Sequence, residues 1–469
     1  MSKIANNKNV IGFTILFLVT SLSDMALMAQ SVNPEKPNVI VILTDDQGSV
    51  DMNCYGAKDL HTPNMDKLAE GGVMFTQFYA AASVCSPSRA ALLTGKTNLR
   101  AGLWGNVPVP AYADIKKKYG MPTEQVTMAE MLKENGYFTA LVGKWHLGHK
   151  PQTLPNGQGF DYYFGHHGGC IDNYSHFMFW SGPNMHDLYL NDKEIYRPGE
   201  FFPDLMVHEI KDLLNTDHGK PFFLYWAFNA PHYPYQGEPK WMEYYKDLPT
   251  PRKEYAAFVS TADERIGQVL DELDRLGLSK NTIVIFQSDH GHSVEERAFR
   301  GGGSSGEYRG SKFSYFEGGI RVPAIIRFPG VVPENQVRHQ MCIEMDWFAT
   351  IAELTGTDIA KLNVDGKSLM PVIQSVNAPS QHKQLFWQHG SYNDKLAQWV
   401  VREGDWKLIG NPSDPTMLPD KLEDELFLTN LAMDISEKEN LIEKFPDQAK
   451  RLQSIHDDWL KKVRKEMKK

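Results

Sequence analysis

The sequence predicts an α/β fold: a large, mainly parallel (mixed) sheet sandwiched by helices, with a smaller C-terminal subdomain of antiparallel sheet plus helix. Three observations point there. Short continuous runs of apolar, β-branched residues, such as 38–44 and 282–286, have the pattern of strands buried on both faces, as in parallel sheets. Capped stretches of helical periodicity alternate with these runs, the pattern of strand–helix–strand units. Past about residue 375 the runs become short and amphipathic, which marks a second kind of sheet. Composition sets outer bounds. The 469 residues are 42% hydrophobic and 23% charged, ordinary globular proportions that exclude a disordered, collagen-like or many-span membrane chain.

Residues 1–29 read as a signal peptide. Lys3 and Lys8 precede an apolar run from Val10 to Leu22, and Ala26-Leu27-Met28-Ala29 offers small residues for cleavage. The run is short of the roughly 20 residues that span a bilayer. The expectation is an exported chain, periplasmic or secreted, with no membrane span once mature; an uncleaved N-terminal anchor is the alternative. The main α/β domain is expected over 30–375 and the C-terminal subdomain over 376–469.

The main domain opens with the strand at 38–44. A helix follows at 63–70, with Thr62 as N-cap, Pro63 in its first turn and Gly71–Gly72 as stop. Thr127 and Glu130 form a capping box whose helix ends at Gly136. A strand at 137–142 runs into Gly143-Lys144-Trp145-His146, and one at 221–228 ends at Asn229-Ala230-Pro231-His232. A long amphipathic helix spans about 254–276. The strand at 282–286 leads to Gln287-Ser288-Asp289-His290-Gly291, and 321–328 is the last strong strand of the series. Beyond it, 385–388, 398–402 and 405–409 read as antiparallel strands, and helical periodicity runs over 446–463. The closing basic run from Lys461 to Lys469 reads as a solvated helix end whose cations complement the dipole.

Asp45, Asp46, Lys144, His146, His232, Asp289 and His290 all fall just past the C-terminal ends of predicted strands. In open α/β sheets those ends share one edge, where ligands bind. Asp45, Asp46 and Asp289 are hard oxygen ligands, suited to Ca²⁺ more than to Zn²⁺. Cys85-Ser86-Pro87-Ser88-Arg89 is the most informative stretch. Pro87 fits the first turn of a short helix that Gly95 terminates, so Cys85 lies at a helix N-terminus, where free N–H groups favour an anion. Arg89, one turn on, adds a fork suited to a tetrahedral oxyanion. Cys85 is therefore expected to be reactive, whereas Cys54, Cys170 and Cys342 read as small core residues. Four scattered cysteines are too few for a disulfide framework or a zinc cluster. Lys+Arg of 49 against Asp+Glu of 58, formally −9, leaves no basic excess for a nucleic-acid partner.

These residues carry a resemblance. Cys85-Ser-Pro-Ser-Arg89 followed by Ala-Ala-Leu-Leu-Thr-Gly95 resembles the signature of the type I, formylglycine-dependent sulfatases of the alkaline phosphatase superfamily. Asp45-Asp46-Gln-Gly, Gly143-Lys-Trp-His-Leu-Gly148, Ala230-Pro-His232, Ser288-Asp-His-Gly291 and Arg309-Gly-Ser-Lys312 resemble further family motifs in the expected order. Glu317-Gly-Gly-Ile-Arg-Val-Pro323 matches the usual continuation. The resemblance implies that a maturating enzyme oxidises Cys85 to Cα-formylglycine, whose hydrate is the nucleophile, with Asp289 as its base. It implies one Ca²⁺ on Asp45, Asp46, Asp289 and the modified Cys85. His290 stands where the family often has Asn, and imidazole is an uncommon Ca²⁺ ligand. Arg89, Lys144 and Lys312 would clamp the sulfate, His232 would protonate the departing sugar oxygen, and His146 would help expel sulfate. A phosphate or phosphonate ester hydrolase of the same superfamily is an alternative. A non-enzymatic glycan-binding protein would lack the nucleophile or the carboxylates, and neither is missing.

The substrate is expected to be a sulfated carbohydrate attacked from its end. Residues 165–180 form an aromatic and histidine-rich insertion above the strand ends, where specificity usually resides. His176, Asp172 and Asn173 are candidates to bind sugar hydroxyls. Trp104, Tyr174 and Trp180 are candidates to stack on a sugar face. The sharper expectation is a 3-O-sulfated galactose or N-acetylgalactosamine of host glycans such as mucin, with His176 on an axial O4. A 6-O or 4-O ester is the alternative.

Overall fold

Every residue of Asn38–Thr44 is buried, as a strand between two helical layers requires, and this segment forms β1 at the centre of the main sheet. The computed structural model describes residues 36–110, 120–179, 184–391, 393–418 and 422–467; the signal-peptide reading of 1–29 and Trp180 lie outside them. The remaining strands are β2 (Val73–Phe75), β3 (Phe78–Tyr79), β4 (Phe138–Lys144), β5 (Tyr162–His166), β6 (Tyr189–Leu190), β7 (Lys193–Glu194) and β8 (Phe222–Ala227). They continue with β9 (Thr282–Ser288), β10 (Ala324–Arg327), β11 (Gln336–Arg338) and β12 (Cys342–Ile343). Among the described residues a ten-stranded sheet runs in the order β11-β2-β10-β9-β1-β8-β4-β5-β6-β7. Its centre, β9-β1-β8-β4-β5, is parallel throughout.

The period of two along β1 divides it between two cores. Val39, Val41 and Leu43 pack with α2 (Cys85–Thr94), α3 (Met128–Glu134), α8 (Asp346–Leu354) and α9 (Met370–Gln374). Ile40 and Ile42 pack with α1 (Pro63–Glu70), α4 (Phe202–Asn215) and α6 (Arg252–Arg275). Shorter helices are α5 (Pro239–Tyr244) and α7 (Glu317–Ile320), and α10 (Pro446–Met467) closes the series. No helix among the described residues is long and apolar enough to cross a membrane.

Local signals hold where the chain itself supplies the partners. Thr127 caps α3 as expected: its hydroxyl accepts from Glu130 N at 3.1 Å and Glu130 Oε2 accepts from Thr127 N at 2.7 Å. Thr62 does not cap α1 with its side chain. Its hydroxyl serves Asn53 N (2.9 Å), and the first amides of α1, Asn64 and Met65, donate to Asp263 of α6 at 3.0 and 2.8 Å. A carboxylate from another helix replaces the local cap. The strand expected over 321–328 shortens to β10 and runs antiparallel to β9. Arg321 is drawn out of it toward Thr76 O and Glu317.

The second sheet contains β13 (Gln384–His389), β14 (Gln398–Glu403), β15 (Trp406–Gly410) and β16 (Leu426–Asn430), all antiparallel; β16 had no clear sequence signal. One face, with Trp387, Val400, Ile409 and Phe427, packs on Tyr79, Tyr315, Phe316 and Ile343. The other, with Val401, Leu408 and Leu428, packs on Leu452 of α10. Buried Lys407 bridges Glu317 (2.9 Å) and Glu437 (3.0 Å) where the two sheets meet. Residues Lys36–Lys469 form one compact unit.

Candidate active site

The parallel centre of the sheet delivers the reactive side chains to one edge. Asp45 and Asp46 follow β1, Lys144 ends β4, His232 follows β8, and Asp289 and His290 follow β9. All are at most 6% exposed, as are His146 and Lys312. Gly143 lets β4 lie close against β8 just before Lys144: its φ is +118°, and a Cβ there would lie 1.9 Å from Ala227 O. Helix α2 begins at Cys85, and Gly95, at φ 65°, closes it by donating to Ala91 O.

The two serines of the Cys85 stretch are staples, a role that sequence reasoning passed over. Ser86 Oγ donates to His146 O at 2.7 Å and accepts from Val107 N at 3.0 Å. Ser88 Oγ lies 2.6 Å from Asp289 O and 2.9 Å from both oxygens of Glu344. They tie the first turn of α2 to the loops after β4 and β9.

Charges alternate around the nucleophile. Arg89 donates to Asp289 Oδ2 from Nη2 (2.9 Å) and Nε (3.2 Å), and Nη2 stands 3.6 Å from Asp45 Oδ1. Lys144 Nζ meets Asp45 Oδ2 at 2.5 Å. Lys312 Nζ donates to Asp46 Oδ2 at 3.1 Å and lies 3.2 Å from His232 Nε2. Cys85 Sγ sits 3.7 Å from Asp45 Oδ1 and 3.2 Å from His290 Nε2. Burial works against charge on Asp45, but Lys144, with Arg89 and Lys312, outweighs it and holds the carboxyl well below its usual range. Asp46 is pushed up to about 6 by burial, against Lys312 and His290 and with the help of Asp45 and Asp289.

The histidines are set by their hydrogen bonds. His146 Nε2 faces Val107 O at 3.2 Å, leaving Nδ1 buried and unpartnered; burial, then Lys144 and Arg89, push its pKa well down. A neutral ring with a free Nδ1 is a proton acceptor. His232 Nδ1 faces Tyr233 O at 2.7 Å, which leaves Nε2 toward Lys312. Burial and Lys312 keep that ring neutral too.

The donor set fits a divalent cation. Asp45, Cys85, Asp289 and His290 each offer an atom within 4.8 Å of the others, and Asp45, Asp46 and His232 form an overlapping group. Asp46 Oδ1 is buried and accepts no well-directed hydrogen bond, although Lys312 Nζ stands 3.1 Å from it. Burial disfavours charge on His290, yet Asp289, Cys85 and Asp46 push it up to about 10. The carboxylates that draw a proton onto this buried imidazole would also draw a cation. His290 Nδ1 faces Gly291 O at 3.0 Å, so Nε2 is the atom turned to this group.

Above Cys85 opens a cavity of about 210 Å³. His146, His232 and Lys312 line it together with Asn106, Cys170, Tyr233, Glu295, Arg297 and Phe313. Cys342 is a core residue as expected, but Cys170 lines the cavity, its Sγ on Phe179 O at 3.3 Å, and Cys54 is half-buried. Gly169 and Met178 of the insertion line the cavity too, but the candidate sugar ligands sit elsewhere. His176 is fully buried, with Nε2 on Glu200 O at 3.0 Å, against the ring of Phe202. Asp172 accepts from Tyr174 N, Ser175 and Gln236, and buried Asn173 is tied to Gln236 and Asn229. Tyr174 stacks on Phe201 at 4.9 Å, and Trp104, 40% exposed, accepts from Gly390 N through its carbonyl. None of the five lines the cavity. Tyr233, Glu295 and Arg297 take the wall positions instead. Tyr233 adjoins His232, which was signal enough to find it; Glu295 and Arg297 come from an irregular loop with no spacing to mark them.

Comparison with known proteins places this arrangement. A family model described as Sulfatase matches residues 37–357, and a second, described as N-sulphoglucosamine sulphohydrolase, C-terminal, matches 306–465. The chain is 37% identical over 375 residues to N-acetylgalactosamine-6-sulfatase of Rattus norvegicus, covering 76% of this chain and 69% of that one. It is 33% identical to Arylsulfatase A of Homo sapiens, covering 82% and 76%. Among solved structures, Ps i-CgsB superposes with a TM-score of 0.79 at 28% identity, covering 91% of this chain and 93% of that one. The PsFucS1 sulfatase from Pseudoalteromonas sp. superposes at 0.76 with 26% identity, covering 92% and 91%. Sequence, fold and the ordered site residues agree: the chain belongs to the sulfatase family, the sulfuric ester hydrolases.

Proposed function

We propose that the protein removes a sulfate ester from a galactose-configured sugar of a glycan, acting in the periplasm or outside the cell. The observation that carries the reading is the convergence of three carboxylates, three cations and two neutral histidines around Cys85, which lines the cavity with Lys312, His146 and His232. In this reading residues 30–375 are the catalytic domain, 376–469 the C-terminal subdomain, and a maturating enzyme converts Cys85 to Cα-formylglycine.

The modified side chain supplies an aldehyde hydrate as nucleophile, and Ca²⁺ on Asp45, Asp46, Asp289 and His290 supplies fixed positive charge. The chain's own residues do the rest. Arg89, Lys144 and Lys312 surround the point above Cys85 where sulfate oxygens gather charge, in a dry setting where such cations act strongly. Asp289, held by two bonds from Arg89, accepts the nucleophile's proton. Lys312 Nζ and His232 Nε2, 3.2 Å apart, share the proton that the departing sugar oxygen takes. His146 Nδ1 takes a proton in the step that frees sulfate.

Burial of His176 removes the contact on which a 3-O ester was expected. The 6-O alternative gains support from relatives named for N-acetylgalactosamine 6-sulfate. The test is sulfate release from a panel of galactose and N-acetylgalactosamine 3-, 4- and 6-sulfates and glucosamine 6-sulfate, after peptide mass analysis establishes oxidised Cys85. Release from the galactose-type 6-sulfates, lost in Cys85→Ala with an unchanged melting curve, is the expected result. Activity confined to glucosamine 6-sulfate, or full activity in Cys85→Ala, would refute the reading.

A further inference from the structure

A second cavity of about 210 Å³ adjoins the first. The two share Glu295 and Phe313, so one wall faces both. The remaining lining is Val294, Arg300, Pro415 and Leu418. Its far side comes from Pro415 and Leu418, past β15, and the chain is pinned in place just before them. Arg309 Nε donates to Asp414 Oδ2 at 2.7 Å, and Ser314 Oγ donates to Ser413 O at 2.8 Å. Both anchors flank Lys312, so the second sheet sets a wall beside the catalytic lysine.

The cavity offers an apolar surface with a cation at its edge. Among the described residues nothing pairs with the Arg300 guanidinium, although the protein as a whole is acidic. Its backbone is held at φ 65° and that of Phe299 at φ 51°, a costly pair of left-handed residues. Arg297, on the same loop, lies over the Tyr233 ring at 5.1 Å, and among the described residues the carboxylate close to it is Glu295 at 3.5 Å. Glu295 itself is committed to Lys312 (3.2 Å) and Tyr233 Oη (3.1 Å). Two guanidiniums with little to neutralise them thus line the adjoining cavities, Arg297 the first and Arg300 the second.

We propose that the second cavity is a subsite for the sugar adjoining the sulfated one, and that Arg300 selects an acidic sugar there, either a uronate or a second sulfate ester. This rests on the first cavity being the sulfatase site. Phe313 and Pro415 supply the surface on which the ring lies, and the guanidinium supplies a fork for a planar or tetrahedral oxyanion. The substrate class is therefore an acidic oligosaccharide, at least two sugars long.

The test compares kcat/KM on three disaccharides with the same sulfated galactose-type sugar, joined to a hexuronate, a sulfated hexose or a neutral hexose. An aryl sulfate ester serves as a substrate with no second sugar. The wild type should prefer one or both acidic disaccharides over the neutral one at least tenfold, with the preference shrinking as salt rises. Arg300→Asn, chosen because Asn tolerates left-handed backbone, should bring that ratio close to one, and Arg300→Glu should invert it. The better acidic substrate tells uronate from sulfate. Equal values for all three disaccharides in the wild type overturn the subsite, as does an unchanged ratio in Arg300→Asn. Hydrolysis of the aryl ester in those cases leaves the sulfatase reading standing; hydrolysis of nothing overturns both.

Discussion

At Gly143 a hydrogen atom stands where any other residue would set a carbon 1.9 Å from the Ala227 carbonyl. The same residue holds φ +118°, a backbone closed to ordinary side chains. Both constraints act one residue before Lys144, whose ammonium meets Asp45. Gly143→Ala should therefore cost more than 1 kcal/mol in urea denaturation and reduce kcat more than KM, since Lys144 is displaced from the sulfate. An unchanged kcat would mean that Lys144 is not part of the sulfate clamp. The side chains at this scale were legible because motifs name them. Their states were not: the free Nδ1 of His146 depends on Val107 O, which lies 39 residues away.

Among the elements, α10 illustrates how a burial pattern becomes a pH response. Its Leu452 and His456 face the second sheet, and His456 stacks on Trp399 at 4.1 Å. Only 2% of His456 is exposed, and burial pushes its pKa down to about 4 against the opposing pull of the Asp457 carboxylate, 3.6 Å from Nδ1. The sign follows from linkage. With the folded pKa below the ordinary value near 6.5, the neutral ring stabilises the fold above pH 6.5, and that contribution is lost as pH falls through about 4. The loss at the acid end is on the order of 3 kcal/mol. His456→Phe should keep the ring stack and flatten stability across that window, measured by urea midpoints from pH 7 to 4. Equal slopes in both proteins would assign acid sensitivity elsewhere. The periodicity of 446–463 located this helix, yet the sheet it covers was only three-quarters visible. β16 follows a turn-rich stretch and carries five residues, too few for an alternation to stand out.

Across the whole molecule, a single edge gathers carboxylates from β1 and β9 that repel one another when no cation lies between them. Divalent ions should therefore stabilise the fold, by about 2.7 kcal/mol at a free concentration a hundred times Kd. Added Ca²⁺ should raise the thermal midpoint and a chelator should lower it, with Asp46→Asn responding weakly to either. A midpoint indifferent to chelation in the wild type would remove the cation from the site.

The set of reactive groups, and the sheet that presents them, can be read from the order of residues alone. Apolar runs, caps and motif order depend on neighbours within a few residues, and strand ends of a parallel sheet must share an edge. Tertiary structure alone decided the cavity walls. His176 and Asp172 have the chemistry of sugar ligands but meet Glu200 O and Gln236 first. Glu295, Arg297 and Arg300 reach the cavities because an irregular loop closes beside Lys312 and a segment of the second sheet packs against it. Which polar groups remain free for a ligand depends on which ones folding has already satisfied, and those partners lie far away in sequence.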